Sequence, residues 1–416
     1  MLIFSCIFLS IPFWFLGSVG SKPKTLAAIC IAKKWGPLDF GDGFLPLVTS
    51  STMIFLRASG HFSMLAPRLI CKFSIFWVLS KGVILAVFCK KSNCCFLRIL
   101  LEFLRMVKMK VKFCGVEFKN PTVLASGVLG VTAASLKRVI ENGAGGVTTK
   151  SIWLKPHEGH KNPTMFGTEH YFMNAVGLSD AGIEKAKDLF AEYGRPAPLI
   201  ASIVAGKNYE FAKVATEVAK MRPDIIEINI SCPNVEDEFG TPFACSAVSA
   251  AAVVKSVKDA IKDEKFKIPV IVKLSPNVPS IASIASACAE AGADGFCAIN
   301  TIGPGMAIDL KLRRPILTNR VGGVSGPGIK PVAVKCVNDI WRITRLPVIG
   351  TGGVMTGEDA IEMMMAGATL VGIGTMVYYR GVEGFSAIVD EMKAWCEKNG
   401  VKDLNEIIGC VNKSGT

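Results

Sequence analysis

The sequence predicts an α/β fold: a (β/α)8 TIM barrel with a non-barrel, apolar N-terminal extension. From residue 109 onward, short apolar, β-branched runs alternate with amphipathic helical stretches, a pattern typical of a parallel sheet covered by helices. Eight such runs within about 300 residues match the usual size of this barrel. No GxGxxG motif follows the first run, which disfavours the alternative, an open doubly wound sheet.

The predicted elements follow one another in regular order. The eight predicted strands are Thr122–Gly127, Gly145–Ser151, Pro198–Ile203, Ile225–Ser231, Pro269–Leu274, Gly295–Asn300, Pro347–Gly353 and Leu370–Thr375. Between them, apolar residues recur at helical spacing. The clearest predicted helices are Tyr209–Met221, Ala247–Lys262 and Ile281–Ala291.

Residues 1–108 differ from the rest of the chain in composition. They carry +10 of the chain's formal charge of +13 and two strongly apolar runs, 1–18 and 73–89. Each run is near the lower length limit for crossing a bilayer. Three interpretations stay open: a membrane anchor, a poorly ordered extension, or sequence upstream of the true translation start, because Met109 opens an ordinary globular sequence. We predict a domain boundary near residue 108, with the main domain at 109–416.

Charge and cysteine usage in the main domain exclude some classes of function. Its net charge is only +3, which disfavours nucleic-acid binding. Its eight cysteines form no CxxC pair, and all four histidines of the chain precede residue 171. A zinc site is therefore not expected. Free thiols indicate a reducing, cytoplasmic location, with membrane association expected only if residues 1–108 are translated.

Glycines and lysines gather at the carboxyl ends of the predicted strands, where barrel enzymes place their chemistry. Glycine-rich turns after strands seven and eight would let backbone N–H groups approach a phosphate, unless they are simply tight turns; they contain Gly352, Gly353, Gly374 and Thr375. Lys150 and Lys273 end strands two and five. A lysine in an apolar strand is costly to bury without an anionic or electron-accepting partner. Unless each lysine forms a structural ion pair, the two lysines point to flavin mononucleotide (FMN).

Amides and one cysteine complete the predicted site. Asparagine side chains suit the edges of a flat heterocycle, and four are candidates: Asn174, Asn229, Asn234 and Asn300. Cys232 lies in "INISCPN", at the tip of the fourth strand. Three roles stay open for its thiol: an apolar filler, a nucleophile, or a general base that removes a proton from carbon while hydride leaves the adjacent carbon. A thiol base with a pKa of about 8.5 works best at mildly alkaline pH.

Residues 109–416 resemble the class 1 dihydroorotate dehydrogenases, in particular the class 1B catalytic subunit. The motifs that carry the resemblance are "LASGVLG", "TTKSIWLKPHEGHKNP", "NAVGLSDAG", "INISCPN", "VIVKLSP", "INTIGPGMAIDL", "GGVSGPGIKP", "VIGTGGV" and "VGIGTMVYYRG". The resemblance implies oxidation of dihydroorotate to orotate in UMP biosynthesis, with Cys232 as the base at C5 and hydride transfer from C6 to FMN. It implies substrate binding by Lys150, Asn174, Gly177, Leu178, Asn229, Asn234, Asn300 and Thr301. It implies FMN binding by Ser126, Lys150, Ser151, Lys273, Gly326, Gly352, Gly353, Gly374 and Thr375.

The resemblance also implies an electron acceptor and partners. Quinone-using class 2 relatives carry serine as the base, so Cys232 disfavours quinone. Class 1B relatives pass electrons to NAD through a subunit that holds FAD and a 2Fe–2S cluster, so such a partner and a homodimeric or heterotetrameric assembly are expected. A fumarate-linked class 1A enzyme, a related pyrimidine reductase and a non-enzymatic, membrane-tethered barrel are the alternatives. Two sites depart from the family: Ser202 replaces a frequent asparagine, and Ser179-Asp180 replaces an amide.

Overall fold

The computed structural model describes residues 27–32, 53–58, 73–80, 83–90, 107–231, 243–262 and 267–412. The chain divides into two compact units, Met1–Met106 and Val107–Thr416. In the first unit, Ala27–Ala32 pairs antiparallel with Met53–Ala58, and Phe73–Ser80 pairs with Val83–Lys90. The second apolar run thus belongs mainly to a hairpin, whereas residues 1–18 lie outside the described residues. Within the described part of the chain, no helix has both the length and the apolar character needed to span a membrane.

Eight parallel strands form a closed barrel in the second unit, which confirms the predicted fold. Each strand pairs with the next in sequence, and β8 pairs with β1 to close the barrel. The strands are β1 (Thr122–Leu124), β2 (Gly146–Thr148), β3 (Leu199–Ile203), β4 (Ile225–Asn229), β5 (Val270–Leu274), β6 (Gly295–Ala298), β7 (Val348–Thr351) and β8 (Ala368–Ile373). Six of them end two or three residues earlier than predicted. The polar and glycine residues beyond these ends lie in loops instead.

Helices alternate with the strands and cover the barrel. They are α1 (Ala133–Glu141), α2 (Ile183–Tyr193), α3 (Asn208–Lys220), α4 (Ala247–Ile261), α5 (Ile281–Glu290), α6 (Lys330–Thr344), α7 (Gly357–Ala366), α8 (Met376–Arg380) and α9 (Gly384–Lys398). The three helices named from the sequence agree with α3, α4 and α5 to within one residue. Hydroxyl side chains start four helices by accepting a backbone N–H from the first turn, namely Thr132, Ser246, Ser280 and Thr356.

Alternation along the strands separates an apolar face from a polar one. In β4, Ile226 and Ile228 share one face and Glu227 and Asn229 share the other. All five residues of this strand are buried. Asn229 reaches a side chain on the far side of β3, so the face with Glu227 and Asn229 points into the barrel. Apolar packing against the helices therefore stabilises the barrel, while its interior is left free to carry polar groups.

A short hairpin, Val111–Phe113 with Val116–Phe118, lies at the amino-terminal end of the barrel. Phe113 and Phe118 are fully buried and pack edge to face, with ring centroids 6.5 Å apart. Asn120 joins this hairpin to β1: its Oδ1 accepts the Thr122 backbone N–H at 3.0 Å and the Thr122 hydroxyl at 2.7 Å. Its Nδ2 donates to the Gly143 carbonyl at 2.8 Å.

Replacing Asn120 by alanine is expected to lower the free energy of unfolding by about 2–3 kcal/mol, because buried donors and acceptors lose their partners. Asn399→Ala is the matched control, since that exposed amide bonds only the carbonyl of Trp395 in its own helix; its effect should stay within about 0.5 kcal/mol. Urea unfolding of both variants measures the difference. Equal effects would show that Asn120 does not anchor β1.

A second, antiparallel sheet lies outside the barrel and was not predicted from the sequence. Its strands, in spatial order, are Ile302–Gly305, Gly322–Ser325, Phe172–Asn174 and Met165–Gly167. They come from the segments after β2 and after β6, and they enclose a small core of Met173, Ala175 and Leu317. A two-residue pair, Ile308–Asp309 with Arg314–Pro315, extends this region. The remaining short elements are 3-10 turns at Phe243–Cys245, Pro327–Ile329, Leu404–Glu406 and Cys410–Asn412.

Candidate active site

A chain of hydrogen bonds connects polar side chains across the carboxyl ends of β2, β3, β4 and β6. Ser202 Oγ lies 3.0 Å from Ser151 Oγ, which accepts from Asn229 Nδ2 at 3.0 Å. Asn229 Oδ1 accepts from the Ser231 hydroxyl at 2.7 Å, and Ser231 Oγ accepts from Asn300 Nδ2 at 2.7 Å. Four separate strands thus contribute to one network, which fixes the orientation of both amides.

Ser231 connects this network to the predicted base. Its backbone N–H also donates to Asn229 Oδ1, at 3.3 Å, so both its main chain and its side chain are held. Cys232 follows Ser231 directly, but Cys232 and Asn234 lie outside the described residues. Ser231 was not selected from the sequence, although it stands between two candidates in "INISCPN". Its hydroxyl at the tip of an apolar strand could have identified it as a site residue.

Lys150 lies two residues beyond β2, beside the segment that contains Gly177 and Leu178. Lys150 Nζ donates to Ser179 Oγ at 3.0 Å. Gly177 and Leu178 have φ angles of 73° and 52°, a left-handed conformation that is uncommon for leucine. Burial lowers the pKa of Lys150, and the negative charge of Asp180 opposes that shift. The structure therefore places the segment that contains Gly177 and Leu178 beside the partly buried ammonium of Lys150.

Lys273 and Glu227 place two opposite charges inside the barrel. Lys273 is 6% exposed, and no hydrogen bond or ion pair joins its Nζ to another residue that the structure describes. Glu227 is 1% exposed, and its Oε1 likewise lacks a hydrogen-bond partner among the described residues. Burial raises the pKa of the nearby Cys297 thiol far above its usual range; Glu227 acts in the same direction and Lys273 opposes it. Cys297 is therefore a poor candidate for the catalytic base.

The turns after β7 and β8 contain the glycines predicted to bind phosphate, and Gly374 alone among them has free space where a side chain would lie. Gly352 and Gly353 have φ angles of 131° and 75°, values that favour glycine. A side chain at Gly374 would meet nothing closer than 3.6 Å, so its position is open. Thr375 Oγ1 donates to Ser325 Oγ at 2.9 Å, which connects β8 to the antiparallel sheet. Gly326 follows that sheet with a φ of 86°.

Asn174, Thr301 and Ser126 are the remaining predicted site residues that the structure describes. Asn174 ends a strand of the antiparallel sheet, opposite Gly323, and so lies off the barrel. A side chain at Gly323 would collide with Thr301, so Asn174 and Thr301 flank the same strand. The Thr301 backbone N–H donates to Asn300 Oδ1 at 2.9 Å. Ser126 Oγ donates to the Thr149 carbonyl at 2.8 Å, which holds the loops after β1 and β2 together.

The fold and these side chains define a (β/α)8-barrel enzyme with its site at the carboxyl ends of the strands. The chain belongs to the dihydroorotate dehydrogenase family, because the sequence profile of that family matches residues 108–395. It is accordingly an oxidoreductase.

Individual relatives agree with this assignment. The chain is 45% identical over 313 residues to a Methanocaldococcus jannaschii protein named dihydroorotate dehydrogenase B (NAD(+)), catalytic subunit, a match that covers 73% of this chain and 98% of the relative. A Methanosarcina acetivorans protein of the same name is 46% identical over 299 residues, covering 71% and 93%. The crystal structure of Eimeria tenella DHODH in complex with ferulenol has a TM-score of 0.64 and 22% identity, and covers 74% of this chain and 89% of that one. This last similarity supports the fold.

Proposed function

We propose that the chain is the catalytic subunit of an NAD-linked dihydroorotate dehydrogenase, which oxidises dihydroorotate to orotate in UMP biosynthesis with FMN as its cofactor. The single observation that carries the proposal is the polar network from Ser202 to Asn300, with Lys150 and Lys273 beside it at the same end of the barrel. Relatives matched along 93–98% of their own length bear the name of this catalytic subunit.

The residues present fit FMN. Lys273 supplies a buried ammonium that lacks a partner among the described residues, as expected of a group that contacts an electron-poor ring. Ser126, Ser151 and Lys150 would line the ring, and the backbone N–H groups of Gly326, Gly352, Gly353 and Gly374, together with Thr375, would hold the phosphate. When bound, FMN supplies the acceptor for the hydride that leaves C6 of dihydroorotate.

The proposed roles of the other residues follow from their chemistry. Lys150, as an ammonium, would bind the substrate carboxylate and contact the flavin. Asn229 and Asn300 would present amides to the pyrimidine in the orientations that the Ser151 and Ser231 hydroxyls determine, because each hydroxyl engages one end of an amide. Further substrate contacts would come from Asn174, Gly177, Leu178, Asn234 and Thr301. Cys232 would remove the proton from C5 as general base.

The proposal includes a partner subunit. Two relatives are named as catalytic subunits of an NAD(+)-linked enzyme, which implies a second subunit that completes electron transfer. By resemblance, we propose that this partner holds FAD and a 2Fe–2S cluster and that the assembly is a heterotetramer built on a homodimer.

We also propose that residues 109–416 are the catalytic domain and residues 1–108 a separate extension. The family profile begins at residue 108, which supports the boundary. The seven described cysteines of the second unit are free, which supports a reducing compartment, the cytoplasm.

Absorption spectroscopy and an acceptor assay test the proposal. The purified chain should show flavin bands that bleach when dihydroorotate is added without oxygen. With the candidate partner subunit present, turnover should reduce NAD; fumarate and quinone serve as competing acceptors. A colourless protein, or a flavin that dihydroorotate does not reduce, would contradict the function. Turnover with fumarate but not NAD would indicate the class 1A alternative.

Replacing Ser231 by alanine is expected to raise the Kd of orotate about tenfold and to leave FMN bound, because Asn229 and Asn300 lose the hydroxyl that joins them. Ser283→Ala is the matched control, since Ser283 is exposed and bonds only Ser280 at the start of α5. Titrating the flavin absorbance with orotate measures both. An unchanged Kd in Ser231→Ala would remove the network from substrate binding.

A further inference from the structure

The Asp180 side chain connects the segment from Gly177 to Gly182 with the chain that follows β2. Asp180 Oδ2 accepts the backbone N–H of Trp153 at 3.0 Å and that of Gly182 at 2.8 Å. The main chain of Asp180 also pairs with that of His157, with two hydrogen bonds of 2.9 Å. We propose that Asp180 is a positioning residue: its carboxylate fastens the substrate segment to the end of β2, and it supplies the negative charge that faces the Lys150 ammonium.

The segment requires such an anchor because its backbone is strained. Leu178 adopts a left-handed conformation, which costs about 1–3 kcal/mol for a residue other than glycine. The indole Nε1 of Trp153 donates to the Leu178 carbonyl at 3.1 Å, and Asp180 holds the main chain of Trp153. Asp180 therefore stabilises both sides of the contact that keeps Leu178 in place.

The same anchor places Ser179 and Lys150 against each other. Ser179 precedes Asp180 directly, and its hydroxyl accepts from Lys150 Nζ at 3.0 Å. If the segment moved away from β2, Lys150 would lose this hydrogen bond and the direction it imposes. The position of the ammonium thus depends on the carboxylate one residue further along the chain.

Charge is the second part of the role. Burial lowers the pKa of Lys150, and among the described residues Asp180 is the charge that counteracts this shift. The charged or titratable groups on the adjoining segments are Asp180, Lys155, His157, Glu158, His160 and Lys161. An asparagine at position 180 would retain both acceptor contacts through its amide oxygen but would remove the charge. Substitution of Asp180 by asparagine and by alanine can therefore separate the effect of its hydrogen bonds from the effect of its charge.

The test compares Asp180→Asn and Asp180→Ala with Asp188→Asn, a control that removes an exposed carboxylate paired only with Lys185 on α2. Competitive trace acetylation followed by mass spectrometry gives the pH at which the Lys150 amine loses its proton. Hydrogen exchange reports on residues 177–182. Asp180→Asn should lower the Lys150 transition by about 0.5–1 pH unit and leave exchange unchanged. Asp180→Ala should lower it as well and speed exchange by about tenfold or more.

Orotate binding to the flavin-loaded chain adds a functional measurement. The proposal rests on the proposed function only for the identity of this ligand. At pH values between the lowered Lys150 transition of the Asp180 variants and that of Asp188→Asn, both Asp180 variants should bind orotate more weakly than Asp188→Asn does. An unchanged Lys150 transition in Asp180→Asn would overturn the role of the charge, and unchanged exchange in Asp180→Ala would overturn the anchoring role. Failure of the wild-type chain to bind orotate would instead contradict the proposed function, while labelling and exchange would still decide the role of Asp180.

Discussion

Cys232→Ser is expected to slow the oxidation of dihydroorotate by about 10²–10⁴-fold near neutral pH, the usual contribution of a general base. A thiol with a pKa of about 8.5 is partly ionised at pH 7.5, whereas an alcohol is not. The wild-type rate should rise with pH and level off once the thiolate has formed. The variant should keep rising through the alkaline range, because its base remains protonated. Flavin content should not change, since FMN binding is assigned to other residues.

Anaerobic stopped-flow mixing measures this effect by following flavin bleaching from pH 6 to 10. Cys245→Ser is the matched control: Cys245 is an exposed free thiol in the turn Phe243–Cys245. The control should bleach at the wild-type rate. Wild-type kinetics in Cys232→Ser would refute its assignment as the base and leave the network around Ser231 with a binding role only.

Lys273→Met is expected to weaken FMN binding by about 10–100-fold. Methionine keeps an unbranched, flexible chain but removes the ammonium, and a hydrogen bond to a charged group is worth about 1.5–3 kcal/mol. Loss of a positive charge beside the ring should also disfavour the reduced, more electron-rich flavin. The two-electron potential should therefore fall by about 30–60 mV, where 30 mV corresponds to about 1.4 kcal/mol.

Fluorescence quenching of FMN by the flavin-free chain gives the affinity, and reductive titration of the reconstituted protein gives the potential. Lys335→Met is the control, because Lys335 is 73% exposed and pairs with Asp339 on the same helix; neither value should change in it. If Lys273→Met binds FMN as tightly as the wild type does and at the same potential, Lys273 does not contact the flavin. Its burial would then be explained by Glu227, the other charge in the interior.

Glu227 would not have been selected from the sequence, because a single acidic residue in "IIEINIS" cannot be assigned to either face of a strand until the barrel is closed. Closure places it inside, on the face of Asn229 and near Cys297 and Lys273. Two buried opposite charges within one interior reduce the cost of burying each. Their common proximity to Cys297 depends on three neighbouring strands, and local sequence patterns hold no information about it.

The antiparallel sheet was missed for a related reason. Its strands are three or four residues long and come from segments more than 100 residues apart, such as Phe172–Asn174 and Gly322–Ser325. Such short segments have too few residues to show alternation. Their glycines resemble loop residues until the partner strand is known. The tertiary structure was therefore needed to show that Asn174 belongs to a strand.

The sequence by itself determined the barrel and the end of it, at the carboxyl ends of the strands, that carries the candidate site. Continuous apolar strands, amphipathic helices and polar strand ends are local patterns. Burial of a strand on both faces requires a continuous apolar run, and burial of a helix on one face requires apolar residues at helical spacing. These patterns located eight strands and nearly all candidate site residues. Only the tertiary structure decided which side chains meet: Ser231 with Asn229 and Asn300, and Ser179 with Lys150. These hydrogen bonds require donor and acceptor atoms from different segments to lie about 3 Å apart, and closure of the barrel sets those distances.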